Sequence, residues 1–278
     1  MIRLLEVTKT YGTGTSALSD ISLSIDKGEF VFIVGPSGSG KTTLLRLLIR
    51  DMTPTRGTIT LNNVDIGKLS NKKVPQLRKQ IGVVFQDLKM LMDRTIYENI
   101  LLPLEMAGMD HKEAEQKVHK ILTQVGIEEH MEKFPIQLSG GELQRAAIAR
   151  ALVFSPEILL ADEPTGNLDN TTSWEIVKLL QDINKLGTTV IMATHNLEVV
   201  NSLDKRVVEL EKGKMTRDTK KGPSTSSGQD VKETKHVKKP EEKEDKKDLE
   251  KKPEVEEKDS SINLPAGRQD SEQGKHKQ

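Results

Sequence analysis

Eight residues, Gly35-Pro36-Ser37-Gly38-Ser39-Gly40-Lys41-Thr42, constrain this chain more than any other part of it. They follow Phe30-Val31-Phe32-Ile33-Val34, apolar at every position, which suits a strand covered on both faces. They lead into residues 42–50, whose spacing predicts a helix. The loop fits G-x-x-x-x-G-K-[ST] in the strand–loop–helix setting that this pattern requires. Its glycines let backbone N–H groups converge on phosphate oxygens, and the helix N-terminus adds a favourable dipole. Lys41 is expected on the β- and γ-phosphates of a nucleoside triphosphate, the Thr42 hydroxyl on Mg2+, and Thr43 on the α-phosphate. The loop alone says that a nucleotide binds, not what its energy is used for.

The flanking pattern extends the α/β reading. Residues 158–161 and 188–193 are again continuous apolar runs, while residues 2–8 and 21–25 alternate as half-buried antiparallel strands do. Residues 57–61 are expected as an edge strand and 81–85 as another short strand. Residues 95–155 read as mostly helical, broken near Gly108 and around 134–139, and 171–186 have helical spacing. Buried strands alternating with helices predict a largely parallel sheet covered on both faces, with an antiparallel edge. The helix-rich stretch, at about 88–155, is expected to form an inserted lobe.

Composition sets limits on partners. Of 278 residues, 35% are hydrophobic and 30% charged, an average over two unlike regions. Residues 1–215 read as a packed domain. Residues 216–278 are mostly Lys, Glu, Asp, Ser, Pro and Gln, with no aromatic residue and too little apolar surface to offset ordering entropy, so this tail is expected to be disordered. Its mixed Lys/Glu runs suit either a solvated polyampholyte or a tether for another protein. Lys+Arg and Asp+Glu are equal at 42 each, which leaves no net field to attract nucleic acid. There is no cysteine, which excludes disulfides, thiolate metal sites and cysteine nucleophiles. The first residues read as a strand rather than a signal peptide, and no apolar stretch approaches the roughly 18 residues of a membrane span.

Two further segments carry chemistry. Ile158-Leu159-Leu160-Ala161 ends on Asp162 and Glu163, and acids at the C-terminal end of a buried strand lie beside the phosphate loop. Asp162 suits a Mg2+ contact, and Glu163 suits the base for an attacking water. Leu138-Ser139-Gly140-Gly141-Glu142 precedes the helical run 143–152, so Ser139, Gly140 and Gly141 form a second anion cradle. One nucleotide needs one cradle, so this one is expected to serve the nucleotide of a second copy.

Phosphate loop, Leu-Ser-Gly-Gly and Asp-Glu in this order resemble the ABC ATPase signature set. The resemblance implies a P-loop NTPase of ABC type, with a RecA-like mixed sheet core. It implies a homodimer in which two ATP molecules lie between phosphate loops and opposing Ser139 loops. Residue by residue, Tyr11 resembles the aromatic that stacks on adenine, and Gln86 the glutamine that contacts Mg2+ and water and couples to a membrane partner. Asp169, in Gly166-Asn167-Leu168-Asp169, resembles the aspartate that reaches across the dimer, and His195 the histidine on the γ-phosphate.

Within the family, Val74-Pro75-Gln76-Leu77-Arg78 and Leu91-Met92-Asp93-Arg94-Thr95 are similar to the bacterial cell-division branch, the FtsE ATPases. That implies an FtsX-like membrane partner, a place at the cytoplasmic face of the cell membrane, and activation of cell-wall hydrolases at the septum. Other divisome components are expected through the tail. Docking is expected near residues 86–95, where Met90, Leu91 and Met92 offer soft apolar contacts. The alternative is the ATPase of a lipoprotein-releasing or macrolide-type exporter, which shares the Ala161–Asp169 run. Glu142 departs from the glutamine more common in the broad family.

Overall fold

A computed structural model describes residues 1–12 and 14–220. Two sheets organise them. One is antiparallel, with β1 (Ile2–Thr10) between β2 (Ser16–Ile25) and β4 (Arg56–Leu61), and the two-residue β5 (Val64–Asp65) beyond β4. The strand expected at the edge over 57–61 is therefore flanked on both sides. The other sheet has six strands. Its centre is β3 (Phe30–Val34), flanked by β8 (Thr189–Thr194) and β9 (Arg206–Glu211). Next to β8 come β7 (Ile158–Asp162) and β6 (Ile81–Val84), all parallel, and β10 (Lys214–Asp218) closes the opposite edge antiparallel to β9.

The all-apolar strands are explained by two cores, one on each face of this sheet. Phe30, Phe32 and Val34 point into one; Val31 and Ile33 point into the other. The same alternation divides Leu159 and Ala161 from Ile158 and Leu160, and Val190 and Met192 from Ile191 and Ala193. The first core is covered by α3 (Ile96–Met106), α4 (His111–Val125), α5 (Gly140–Leu152) and α6 (Asn170–Lys185). The second holds α1 (Lys41–Leu48) between the sheet and the inward face of the antiparallel sheet, including Ile2, Leu4, Ile21 and Ile59. Each fully buried Leu or Ile contributes roughly 1.5–3 kcal/mol against exposure.

Local chemistry sets the helix ends. Thr95 and Glu98 cap α3 reciprocally, and Ser139 and Glu142 do the same for α5. Asp110 caps α4, which stops at Gly126 in the left-handed conformation. Short helices α2 (Val74–Lys79) and α7 (Leu197–Asn201) complete the set.

β10 crosses the boundary expected at residue 215. Its residues show no apolar alternation; they are held by pairing with β9 and by the Arg206 guanidinium, which donates to Asp218 at 2.7 and 2.8 Å. Residues 216–220, expected as the start of a disordered tail, are thus part of the sheet and its edge. The remainder of that tail, from residue 221, lies outside the described residues.

Candidate functional site

Four neighbouring parallel strands deliver the site. Val34 pairs with Thr194, Ala193 with Asp162, and Ala161 with Val84, so their C-terminal ends are level. The chain leaves those ends into Gly35, His195, Glu163 and Gln86. This is the edge at which open parallel sheets bind ligands.

The loop after β3 is shaped by close backbone approaches. Gly35 has φ 150°, and a Cβ there would lie 2.1 Å from the Leu210 carbonyl oxygen. Gly40, at φ 108°, caps α1, and its Cβ would lie 2.7 Å from both the Ala17 carbonyl and Leu18 Cδ2. Only glycine combines those dihedrals with that space. The loop borders a cavity of about 550 Å3. Residues 36–43 line one side, Gln86, Glu163 and His195 another, and Tyr11 stands at the rim, 38% exposed. The Tyr11 hydroxyl lies 3.2 Å from Thr43 Oγ1. Thr15, Ser16 and Ala17 also line the cavity and were missed from sequence. Their signal was faint: small residues opening a strand, with no spacing that ties them to the loop.

Charge is concentrated at the mouth. Lys41 Nζ donates to the Gly35 carbonyl at 2.7 Å and the Pro36 carbonyl at 3.2 Å, and lies 3.6 Å from Glu163 Oε1. The same Oε1 is 3.0 Å from His195 Nδ1, while the His195 backbone N–H donates to Oε2 at 3.3 Å. Glu163 is almost enclosed and His195 two-thirds exposed. Glu163 takes φ 49°, and this left-handed bend turns its side chain out of the sheet toward the loop.

Asp162 has the opposite environment. It is 6% exposed, and its Oδ1 is buried with no hydrogen-bond partner. Burial pushes its carboxyl above the usual carboxylate range; the charge of Glu163 adds to this, while the Thr42 hydroxyl and Lys41 oppose it. An orphaned carboxylate oxygen beside the Thr42 hydroxyl fits a hard divalent cation, which prefers oxygen ligands. Among the described residues no three His, Cys, Asp or Glu side chains cluster as a complete metal cage.

Ser139, Gly140, Gly141 and Asp169 do not line this cavity. They lie together at the neighbouring N-termini of α5 and α6. Ser139 donates its N–H and its hydroxyl to Glu142 Oε2, both at 2.7 Å. These bonds, the hydroxyl's first, hold the Glu142 carboxyl below its ordinary range, and its Oε1 lies 2.9 Å from His130 Nε2. Asp169 caps α6 through Thr172, whose hydroxyl bond chiefly lowers the Asp169 carboxyl.

From the segment 86–95, Lys89 and Leu91 line a groove of about 890 Å3 with Phe85, Pro103, Met106 (80% exposed) and the charged Arg78, Lys79 and Arg150, whereas Gln86, Met90 and Met92 line a separate groove. Buried Asn99 pins the segment, donating to the carbonyls of Leu91, Arg94 and Thr95 and accepting from Leu91 N–H. Leu91 and Met92 are exposed, whereas Met90 packs against the helical core. Among the described residues no helix is long and apolar enough to cross a membrane.

Comparison with known proteins agrees with this geometry. The family model for ABC transporters matches residues 18–166. The cell division ATP-binding protein FtsE of Bacillus subtilis (strain 168) is 47% identical over 222 residues, 80% of this chain and 97% of that protein. FtsE of Mycobacterium tuberculosis (strain ATCC 25618 / H37Rv) is 49% identical over 223 residues, again 80% and 97%. Among solved structures, the ATP-binding cassette MJ0796, a dimer in a post-hydrolysis state bound to ADP and Pi, superposes with a TM-score of 0.73 at 37% identity. It matches 81% of this chain and 100% of that one. Level strand ends, a phosphate loop and these matches lead to one assignment: the chain belongs to the ABC transporter ATP-binding family and, within it, to the FtsE cell division ATP-binding proteins.

Proposed function

We propose that this ATPase is the motor subunit of an FtsEX-like membrane complex, coupling an ATP-driven dimerisation cycle to septal cell-wall hydrolase activation. One observation carries the catalytic part: Glu163, on its left-handed bend, is held between Lys41 and His195 at the mouth of the phosphate loop. Lys41 grips the β- and γ-phosphates, which draws its charge away from Glu163. Glu163 then orients the attacking water and takes its proton, while His195 fixes the carboxylate and meets the γ-phosphate. Thr42, Asp162 and Gln86 hold Mg2+, which when bound neutralises phosphate charge. Tyr11 stacks on the adenine, and Thr43 supports the α-phosphate.

Ser139, Gly140 and Gly141 face the ATP of a second copy, and Asp169 reaches across the same interface. Their position off the cavity supports this, as does the dimeric form of the MJ0796 cassette. The exposed apolar groove beside 86–95 receives an FtsX-like membrane partner, which places the subunit at the cytoplasmic face of the membrane. The names of the FtsE relatives support the division role.

Glu163→Gln is expected to bind ATP and accumulate as a dimer, measured by analytical ultracentrifugation. Monomers at saturating ATP would remove the two-copy arrangement. Depletion in cells is expected to give filaments with blocked septa. Normal division with lipoprotein retained in the inner membrane would move the assignment to an exporter.

A further inference from the structure

Gly141 occupies the second helical position of α5 with an ordinary backbone, yet it has no room for a side chain. A Cβ built there would lie 2.5 Å from Thr172 Cγ2, and one built on Gly140 would lie 3.1 Å from Leu168 Cδ2. Both neighbours belong to the Asp169 segment: Leu168 just precedes the cap of α6, and Thr172 is the residue that the cap holds.

Thr172 cannot simply turn its methyl aside. Its Oγ1 donates to Asp169 Oδ2 at 2.6 Å and its N–H to Asp169 Oδ1 at 3.0 Å. Hydroxyl and methyl share one Cβ, so a single χ1 setting serves both contacts. Rotating the methyl off Gly141 breaks the hydroxyl bond to Asp169, and releasing Asp169 frees the methyl. The buried Ser173 adds to the assembly, its N–H donating to the Asp169 carbonyl at 2.8 Å.

From these contacts we infer that Thr172 is a positioning residue that locks the Ser139–Gly141 loop and the Asp169 segment into one body. Resting on the two-copy arrangement proposed above, this means both loops approach the second copy together. An anion met by the first is felt at Asp169 through Thr172. Thr172 lying against Gly141 is in itself enough to require glycine there.

The test separates methyl from hydroxyl. Gly141→Ala, Thr172→Ser, the double variant and Thr172→Val are prepared with Glu163 intact, and kcat and KM for ATP are measured. Gly141→Ala is expected to lose most of its kcat. Thr172→Ser removes Cγ2, leaving Thr172 Cβ, 3.9 Å from the built Cβ, as the next contact. Adding it is therefore expected to return the double variant to the level of Thr172→Ser alone. Thr172→Val keeps the methyl and loses the hydroxyl; kcat is expected to fall by roughly ten- to a hundredfold, the scale of one charge-assisted hydrogen bond, with KM unchanged. A double variant as impaired as Gly141→Ala, or a Thr172→Val enzyme with normal kcat, overturns the lock. The dimer arrangement is judged separately, by whether Glu163→Gln alone dimerises with ATP.

Discussion

Removing Asp162 is expected to leave the nucleotide-free protein as stable as before, or more so, while abolishing its response to Mg-ATP. Its carboxylate is buried, and one oxygen has no partner. An unsatisfied buried acceptor costs about 1–3 kcal/mol, and the bond from the Thr42 hydroxyl returns about 1 kcal/mol. Asp162→Ala is therefore expected to gain between zero and about 2 kcal/mol, and 1 kcal/mol is about 2–4 °C in a domain of this size. Ligand at a hundredfold excess over Kd stabilises the parent by about 2.7 kcal/mol, and the variant is expected to lose that increment. The pH dependence has a defined sign. Burial raises the Asp162 carboxyl in the folded state, so the fold retains this proton longer than the unfolded chain does. The stability it supplies is complete below the unfolded value and is lost as pH rises through the folded one. Without divalent cation, the parent is expected to weaken across that window relative to Asp162→Ala. Thermal melts with chelator and with Mg-ATP, from about pH 4 to 7, read all three quantities. A metal-free variant that melts several degrees lower, or a retained Mg-ATP shift, would refute the reasoning.

Two further substitutions test the frame around the site. Arg206, 6% exposed, donates to both oxygens of Asp218 and of Glu29 and to the Ser24 carbonyl. Arg206→Ala is expected to cost about 2–3 kcal/mol in urea unfolding, below the loss for a fully buried pair because both carboxylates keep some water. Burial pushes the Asp218 carboxyl up but the Arg206 bond pulls it lower overall, so the bridge contributes above the ordinary carboxylate range and is lost as pH falls through the folded value. The variant should accordingly show a shallower acid limb, and an unchanged limb would count against the bridge. Gly82→Ala in β6 would set a Cβ 2.3 Å from the Ala151 carbonyl and 3.1 Å from Pro156 Cγ. A cost of about 1–3 kcal/mol is expected, and a change below about 0.5 kcal/mol would show that the end of α5 can yield.

The core strands were legible because burial on both faces leaves short runs with no polar position, and the phosphate loop because its fixed spacing follows such a run. Phe30–Val34 reads as apolar throughout because alternate residues fill different cores. Thr95 and Ser139 opened stretches that read as helical, since a cap acts within four residues of chain, whereas Asp110, which caps α4, was not singled out. β10 was not. An edge strand of Lys, Met, Thr, Arg and Asp carries no hydrophobic period, and its place is decided by Arg206, eight residues upstream of its first residue. The Thr15–Ala17 wall of the cavity was hidden for a related reason: its proximity to the loop comes from contacts distant in sequence, the Ala17 carbonyl lying against Gly40 and the Gly213 turn bonding both Ser19 and Ser39. Likewise nothing local in Gly141-Glu142 announces that Thr172 lies against it.

The two-faced construction of β3 has a consequence for how the molecule opens. Helices α3, α4 and α5 bury their apolar residues in one of its cores, whereas α1, which continues the phosphate loop, is anchored in the other. Loosening the lobe strips one side of β3 and leaves the side that carries the loop's helix filled. In amide-exchange terms, the hydrogen bonds of α1 and β3 are expected to outlast those of α3 and α4. Opening of the lobe's helices is therefore expected to leave the helix behind the phosphate loop seated in its own core.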